Sequence, residues 1–241
     1  DKFTDGDWIE AKDQSASGVR LIQTGNVGVA EYLDQPNNKK WVSEDTFVDL
    51  HCEEVFRGDI LISRLPEPAG RACIVPDLCT KMITAVDCTI VRVSEDISNE
   101  FLLQYLSSQK YFDEVNTCLA GGTRQRISRS NLANFDVPIP IQKQEQQAIG
   151  GLFINLDRLI TLHQRKYEKL THVKKAMLEK MFPKHGFHVP EIRFKGFTDD
   201  WEQRKFSELV ETRRGLAYKP SDIRKRAFVF YAHLTLTKKF L

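Results

Sequence analysis

The stretch KQEQQAIGGLFINLDRLITLHQRKYEKLTHVKKAMLEKMF, which opens at Lys143 and stops before Pro183, constrains the fold more than any other part of the chain. Ile149, Leu152, Leu156, Leu159, His163, Tyr167, Leu170, Val173 and Met177 recur at threes and fours, the interval that places side chains on one face of an α-helix. At about 1.5 Å of rise per residue such a helix extends roughly 55 Å, more than a compact domain covers. A single narrow apolar stripe with charges elsewhere calls for a partner helix along its seam. His163 on that stripe is expected to be a packed residue or a register device rather than a ligand.

Upstream the pattern is different. Residues 18–93 hold short β-like runs, GVRLIQTGNVG, DILISRL, ACIVP and CTIVRV, each bounded by Gly, Pro, Asp or Asn. Residues 99–116 (NEFLLQYLSSQKYFDEVN) set Phe101, Leu102, Tyr105, Leu106 and Phe112 at helical intervals, which predicts one helix packed on that sheet. After a Gly-Gly turn, residues 127–132 are expected to be a short helix or turn, and residues 135–141, with two prolines, an extended connector. Downstream, residues 185–211 predict a loop and then a short amphipathic helix entered at Thr198 or Asp199 and built on Trp201, Phe206 and Leu209. The fold class is α+β: a sheet-rich domain with packed helices, followed by one long coiled-coil-type helix.

Composition excludes more than it identifies. Among 241 residues, 41% are hydrophobic, enough for a packed core, and no apolar run reaches the ~18 residues a membrane span needs. A cytoplasmic location is the default expectation. Cys52, Cys73, Cys79, Cys88 and Cys118 are odd in number and show no CxxC spacing, so they are read as small buried hydrophobes rather than disulfides or zinc ligands. A net charge of +2 is too small to name a partner, but its distribution is informative. Residues 158–180 carry seven Lys and Arg, and GGTRQRISRS (residues 121–130) carries three arginines and no acid, which raises nucleic acid as a partner.

No catalytic constellation accompanies this charge. The sequence has no glycine-rich phosphate cradle, GxSxG or HExxH, and PDLCTK (residues 76–81) lacks the second acid that a nuclease metal site shares with its aspartate. No cofactor and no metal is expected, and the chain is read as non-catalytic by itself. What remains is hydrogen-bond donors in loops: Arg20, Gln23, Thr24 and Asn26 on one strand-and-loop stretch, Arg64 and Arg71 flanking the PEPAG loop, and Gly122, Thr123, Arg124, Arg126 and Arg129 in and after the Gly-Gly turn. Arginine can bond both guanine acceptors in the major groove, Gln and Asn can pair with adenine, and a Gly-Gly backbone can approach a phosphate closely.

ISRSNLANFDVPIPIQKQEQQAIGGLFINLDRLITLHQRKYEKL, followed by KMFPKHGFHVPEIRFKGFTDDWEQRKFSELVE, strongly resembles the specificity subunit of type I restriction-modification enzymes. The resemblance covers nearly the whole chain, and the ordered set of segments is highly specific. It implies a target-recognition domain over residues 1–141, a spacer and dimerisation helix over 142–182, and the start of a second recognition domain over 183–223. It also implies that double-stranded DNA is a partner and that separate methylation and restriction subunits dock on this scaffold and do the chemistry. The chain departs from the family pattern in having one recognition domain and one long helix. Two copies pairing their helices antiparallel would rebuild a two-domain reader. The alternative is a helix-pairing assembly or decoy protein without DNA reading. From Arg226 onward the chain can be encoded so that a shifted reading frame parallels Gly18 to Tyr32, and residues 224–241 are expected to be an out-of-frame tail.

Overall fold

The computed structural model describes residues 1–122 and 125–211. Its elements in chain order are β1 (Lys2–Asp5), β2 (Gln14–Ser15), β3 (Val19–Ile22), β4 (Lys40–Val42), α1 (Glu44–Asp49), β5 (Ile60–Ser63), β6 (Ala72–Ile74), β7 (Met82–Thr84), β8 (Cys88–Arg92), α2 (Asn99–Tyr105), α3 (Gln109–Thr117), α4 (Arg129–Ala133), α5 (Lys143–Lys180) and α6 (Phe206–Leu209). The chain divides into a unit of Asp1–Glu168 and a unit of Lys169–Leu241. The expected tail, residues 224–241, lies outside the described residues.

The strands form two four-stranded sheets. One runs β1-β8-β5-β6 and is antiparallel throughout; the other runs β2-β4-β3-β7, with β3 and β7 parallel. The four β-like runs of the sequence supply β3, β5, β6 and β8, whereas β1, β4 and β7 carry too few alternating apolar residues to announce themselves. Alternation along β5 assigns its two faces. Ile60 and Ile62 enter a core with Leu102, Leu103, Leu106, Tyr111, Val115, Ile127 and Leu132, while Leu61 points the other way, to Cys73, Cys88 and Ile90. Tyr111 is the largest side chain of the first core; its hydroxyl donates to the Gly70 carbonyl at 2.9 Å, so its one polar atom is satisfied.

Two sequence expectations need correction. Residues 99–116 form two helices, because Ser108 ends the first run and caps the second by accepting a hydrogen bond from the Tyr111 N–H at 3.2 Å. The helix expected from Thr198 or Asp199 is only α6: the Trp201 N–H donates to the His188 carbonyl and its ring meets Phe182 edge-on, which fixes that segment as irregular chain.

Candidate nucleic-acid interface

The loop that carries the Gly-Gly pair is closed at its base by two backbone hydrogen bonds between Ala120 and Arg126, at 3.0 and 2.9 Å. Ile127, fully buried, anchors this base in the core, and its N–H donates to the Arg64 carbonyl at 3.2 Å. Ser128 then caps α4, accepting from the Asn131 N–H, and so places Arg129 in the first turn. Arg126 and Arg129 are thereby brought to one region of the surface, above the buried Arg64. Thr123 and Arg124 lie outside the described residues.

Two carboxylates organise these arginines. Asp5 Oδ1 accepts from the Thr89 hydroxyl at 3.0 Å and lies 3.4 Å from Arg64 Nε, while Asp5 Oδ2 lies 3.8 Å from Arg129 Nη1. Asp87 Oδ1 lies 3.7 Å from Arg126 Nη1. The Arg126 and Arg129 side chains are 61% and 46% exposed, and long ion pairs of this kind in water are worth about 0–1 kcal/mol. Exchanging such a carboxylate for a phosphate oxygen costs little. Gly122 is exposed with open space where a side chain would sit, so backbone there is accessible. Asp5 and Asp87 carried no signal in the sequence, since their partners lie far along the chain.

Four of the donors read from the sequence, Arg20, Asn26, Arg64 and Arg71, are engaged by backbone groups within the fold. Arg20 is 2% exposed; its Nη1 donates to the Leu21 and Lys40 carbonyls at 3.0 and 2.8 Å, and its guanidinium lies over the Trp41 ring. Buried Asn26 accepts from the Gln23 N–H and donates to the Leu33 carbonyl. Arg64 is buried, and it donates to the Val86 carbonyl at 2.6 Å. Arg71 donates to four backbone carbonyls, of Thr24, Val27, Leu65 and Pro68, tying the turn at Thr24–Asn26 to the PEPAG loop. Burial draws its pKa below the usual guanidinium value. Gln23 and Thr24 remain half-exposed beside this junction.

The long helix presents two separate faces. Gln146 and Gly150 are buried against the preceding domain, whereas Leu152, Leu156, Leu159, His163, Tyr167, Leu170, Val173 and Met177 are all exposed and Ile149 is half-buried. Ile149, Leu156, His163, Leu170 and Met177 repeat at sevens, with Leu152, Leu159 and Val173 three residues after the first, second and fourth of them, the pattern of a coiled-coil seam. The seam is interrupted at its middle by His163 and Lys166.

The cysteines do not form a site. Burial pushes the Cys73 thiol up to about 12 and those of Cys52 and Cys88 to about 11, so all three stay protonated. Cys79 is exposed and Cys118 half-exposed, which corrects the expectation that all five are buried. Among the described residues no group of three or more His, Cys, Asp and Glu is placed to hold a metal ion, and no helix is long and apolar enough to cross a membrane. Asp77 of the PDLCTK stretch is held in a turn, accepting from the Cys79 N–H and pairing with Arg57.

The chain is similar to the type I restriction enzyme MjaVIII specificity subunit of Methanocaldococcus jannaschii, with 27% identity over 99 residues, 40% of this chain and 23% of that protein. The crystal structure of the HsdS subunit from Thermoanaerobacter tengcongensis superposes with a TM-score of 0.52 at 18% identity, over 75% of this chain and 42% of that one. A chain from a structure described as the structural basis underlying complex assembly and conformational transition of the type I R-M system gives a TM-score of 0.53, also at 18% identity, over 74% and 42%. The chain thus spans less than half the length of these relatives, and the two structures share its fold: a two-sheet domain followed by a long helix. The family model of the type I restriction modification DNA specificity domain matches residues 8–172, more than half of the chain. The chain belongs to that family.

Proposed function

We propose that this protein is a DNA-sequence-reading specificity subunit, non-catalytic by itself, whose recognition domain reads one half of a split duplex site in the cytoplasm. The observation that carries the reading is the exposed pair Arg126 and Arg129, at the base of and just after the loop that carries the open Gly122 backbone, on a domain of the specificity family. Phosphate contacts from these groups fix register, and Gln23 and Thr24 are the half-exposed polar side chains left to meet base edges.

The exposed seam of α5 supports self-pairing. An antiparallel pairing that sets Leu159 against Leu170 of a second copy also sets Leu156 against Val173 and Leu152 against Met177. His163 then meets Lys166 at the centre, on both sides of a twofold axis. The apolar layers drive association and the polar centre selects this register over shifted ones. Such a dimer carries two recognition domains related by twofold symmetry and reads an inverted repeat with a fixed gap. The methylation subunit docks along the basic outer face of the helix, at residues such as Arg158, Arg165 and Lys169, with the restriction subunit joining that assembly.

A selection from random-sequence duplexes by the full chain tests this reading. The expected product is an inverted pair of short sequences at constant separation, with affinity falling steeply as salt rises. Selection of no sequence, with helix pairing intact, would leave the helix-pairing assembly protein as the better account.

A further inference from the structure

The start of α5 is fixed to the recognition domain by a contact that uses a different face of the helix from the exposed seam. Gln146 is 1% exposed and fully engaged: its Oε1 accepts from the Ser98 N–H at 2.9 Å, and its Nε2 donates to the Pro140 carbonyl at 2.9 Å and to the Asp96 carbonyl at 3.3 Å. One turn later, Gly150 lies so close to the first turn of α2 that an added Cβ would sit 2.7 Å from the Phe101 nitrogen and 2.9 Å from the Glu100 carbonyl carbon. Lys143 Nζ donates to the Glu95 carbonyl, and Gln104 Nε2 donates to Asp157 Oδ2 at 3.0 Å. Gln146, Gly150 and Asp157 stand at i, i+4 and i+11 and so share one side of the helix. Ile149, Leu152, Leu156, Leu159 and His163 lie about a third of a turn around the axis from them.

This arrangement has a geometric consequence. A slip of one residue at the contact would rotate the seam by roughly 100° and translate it by about 1.5 Å. The polar bonds of Gln146 fix the position along the axis, because each needs a particular backbone group, that of buried Ser98 above all, and the absent side chain at Gly150 fixes how closely the helix lies on α2. Gly151, the next residue, meets nothing within 4 Å and has no such role.

We propose that Gln146 and Gly150 are positioning residues that set the rotational phase of the α5 seam against the recognition domain, and thereby the gap and helical phase at which paired domains meet DNA. The phase-setting role stands on the packing of α5 itself; the effect on DNA spacing rests on the proposed pairing of two recognition domains.

The test uses the full chain with a spin label on exposed Cys79, a second label introduced by Gln164→Cys, and Cys118→Ser to remove the half-exposed thiol, diluted in unlabelled protein so that only distances within one chain are read. The expected result is a single narrow distance distribution in the parent and in Gly151→Ala. Gly150→Ala and Gln146→Leu should shift or broaden it, and Gln146→Glu, which keeps the acceptor for Ser98 but loses both donations, should fall between. If Gly150→Ala and Gln146→Leu both keep the parent distribution, the phase-setting role is overturned. Duplex selection then reads the consequence: Gly150→Ala should change or relax the gap while the half-site bases stay the same. An unchanged gap with a shifted distance distribution would overturn the link to DNA spacing. A parent that selects no paired half-sites would overturn the paired-domain reading and leave the distance result standing.

Discussion

Arg126 Nη1 lies 3.7 Å from Asp87 Oδ1, close enough for attraction and too far for a good hydrogen bond. The exposed guanidinium is thus held in place without being neutralised tightly, the condition for handing it to a phosphate. Replacing Arg126 and Arg129 together by Ala should weaken duplex binding by at least tenfold at ~0.15 M salt and reduce the slope of log K against log salt by about two, one for each phosphate no longer neutralised. Asp87→Asn should leave binding equal or tighter. Fluorescence anisotropy across a salt series measures both, and an unchanged slope in the double variant would remove this surface from the DNA interface.

Arg71 makes the opposite prediction. Its guanidinium serves four backbone carbonyls, so Arg71→Ala should cost about 2–4 kcal/mol of stability, read as a lowered denaturant midpoint. Arg71→Lys should recover only part of this, because an ammonium cannot span the same fork of acceptors. Arg129→Ala should change stability by less than about 0.5 kcal/mol. Equal stability of the Arg71 and Arg129 variants would contradict the assignment.

The two adjacent helix glycines should respond with opposite signs. Gly151→Ala places a methyl group in open space and should stabilise the protein by about 0.5–1 kcal/mol through helix propensity and a less flexible unfolded chain. Gly150→Ala should be destabilising, since the backbone of Glu100 and Phe101 must move aside. Thermal unfolding of the two single variants provides the comparison.

Self-association should depend on the seam residues. Leu156→Lys and Leu170→Glu, made separately, should reduce dimer mass in sedimentation experiments, because each puts unpaired charge into an apolar layer. His163→Leu should tighten association while permitting additional registers, as removal of a polar seam residue does. A parent chain that stays monomeric at concentrations up to ~100 µM, about 5.5 kcal/mol of association free energy, would exclude the pairing.

The buried thiols give a pH test with a definite sign. Folded-state pKa values of about 12 for Cys73 and about 11 for Cys52 and Cys88 lie above those of the unfolded chain, so their contribution to stability is complete below the ordinary thiol value of about 8.5. That stability declines as pH rises from there toward 11–12. Native protein treated with iodoacetamide at pH 8 should label Cys79 first, Cys118 more slowly, and Cys52, Cys73 and Cys88 only after unfolding. Rapid native labelling of Cys73 would contradict its place in the core.

The period of the apolar residues determined the long helix, because a spacing of threes and fours sustained from Ile149 to Met177 leaves no other regular structure that gathers them on one side. Alternating runs likewise determined β3, β5, β6 and β8, and a Gly-Gly pair followed by arginines marked the exposed loop. Only the tertiary structure decided which arginines are held on backbone carbonyls and which stay exposed. Arg20, Arg64 and Arg71 look like Arg126 and Arg129 in sequence, yet carbonyls of Lys40, Val86 and Thr24, contributed from 20 to 47 residues away, absorb the first three. The same holds for Gln146, one of three glutamines in KQEQQ, which differs from its neighbours because Ser98, Asp96 and Pro140 converge on it. Periodicity is a local property that each side chain carries with it, whereas the availability of a hydrogen-bond donor depends on groups that only folding brings within ~3 Å.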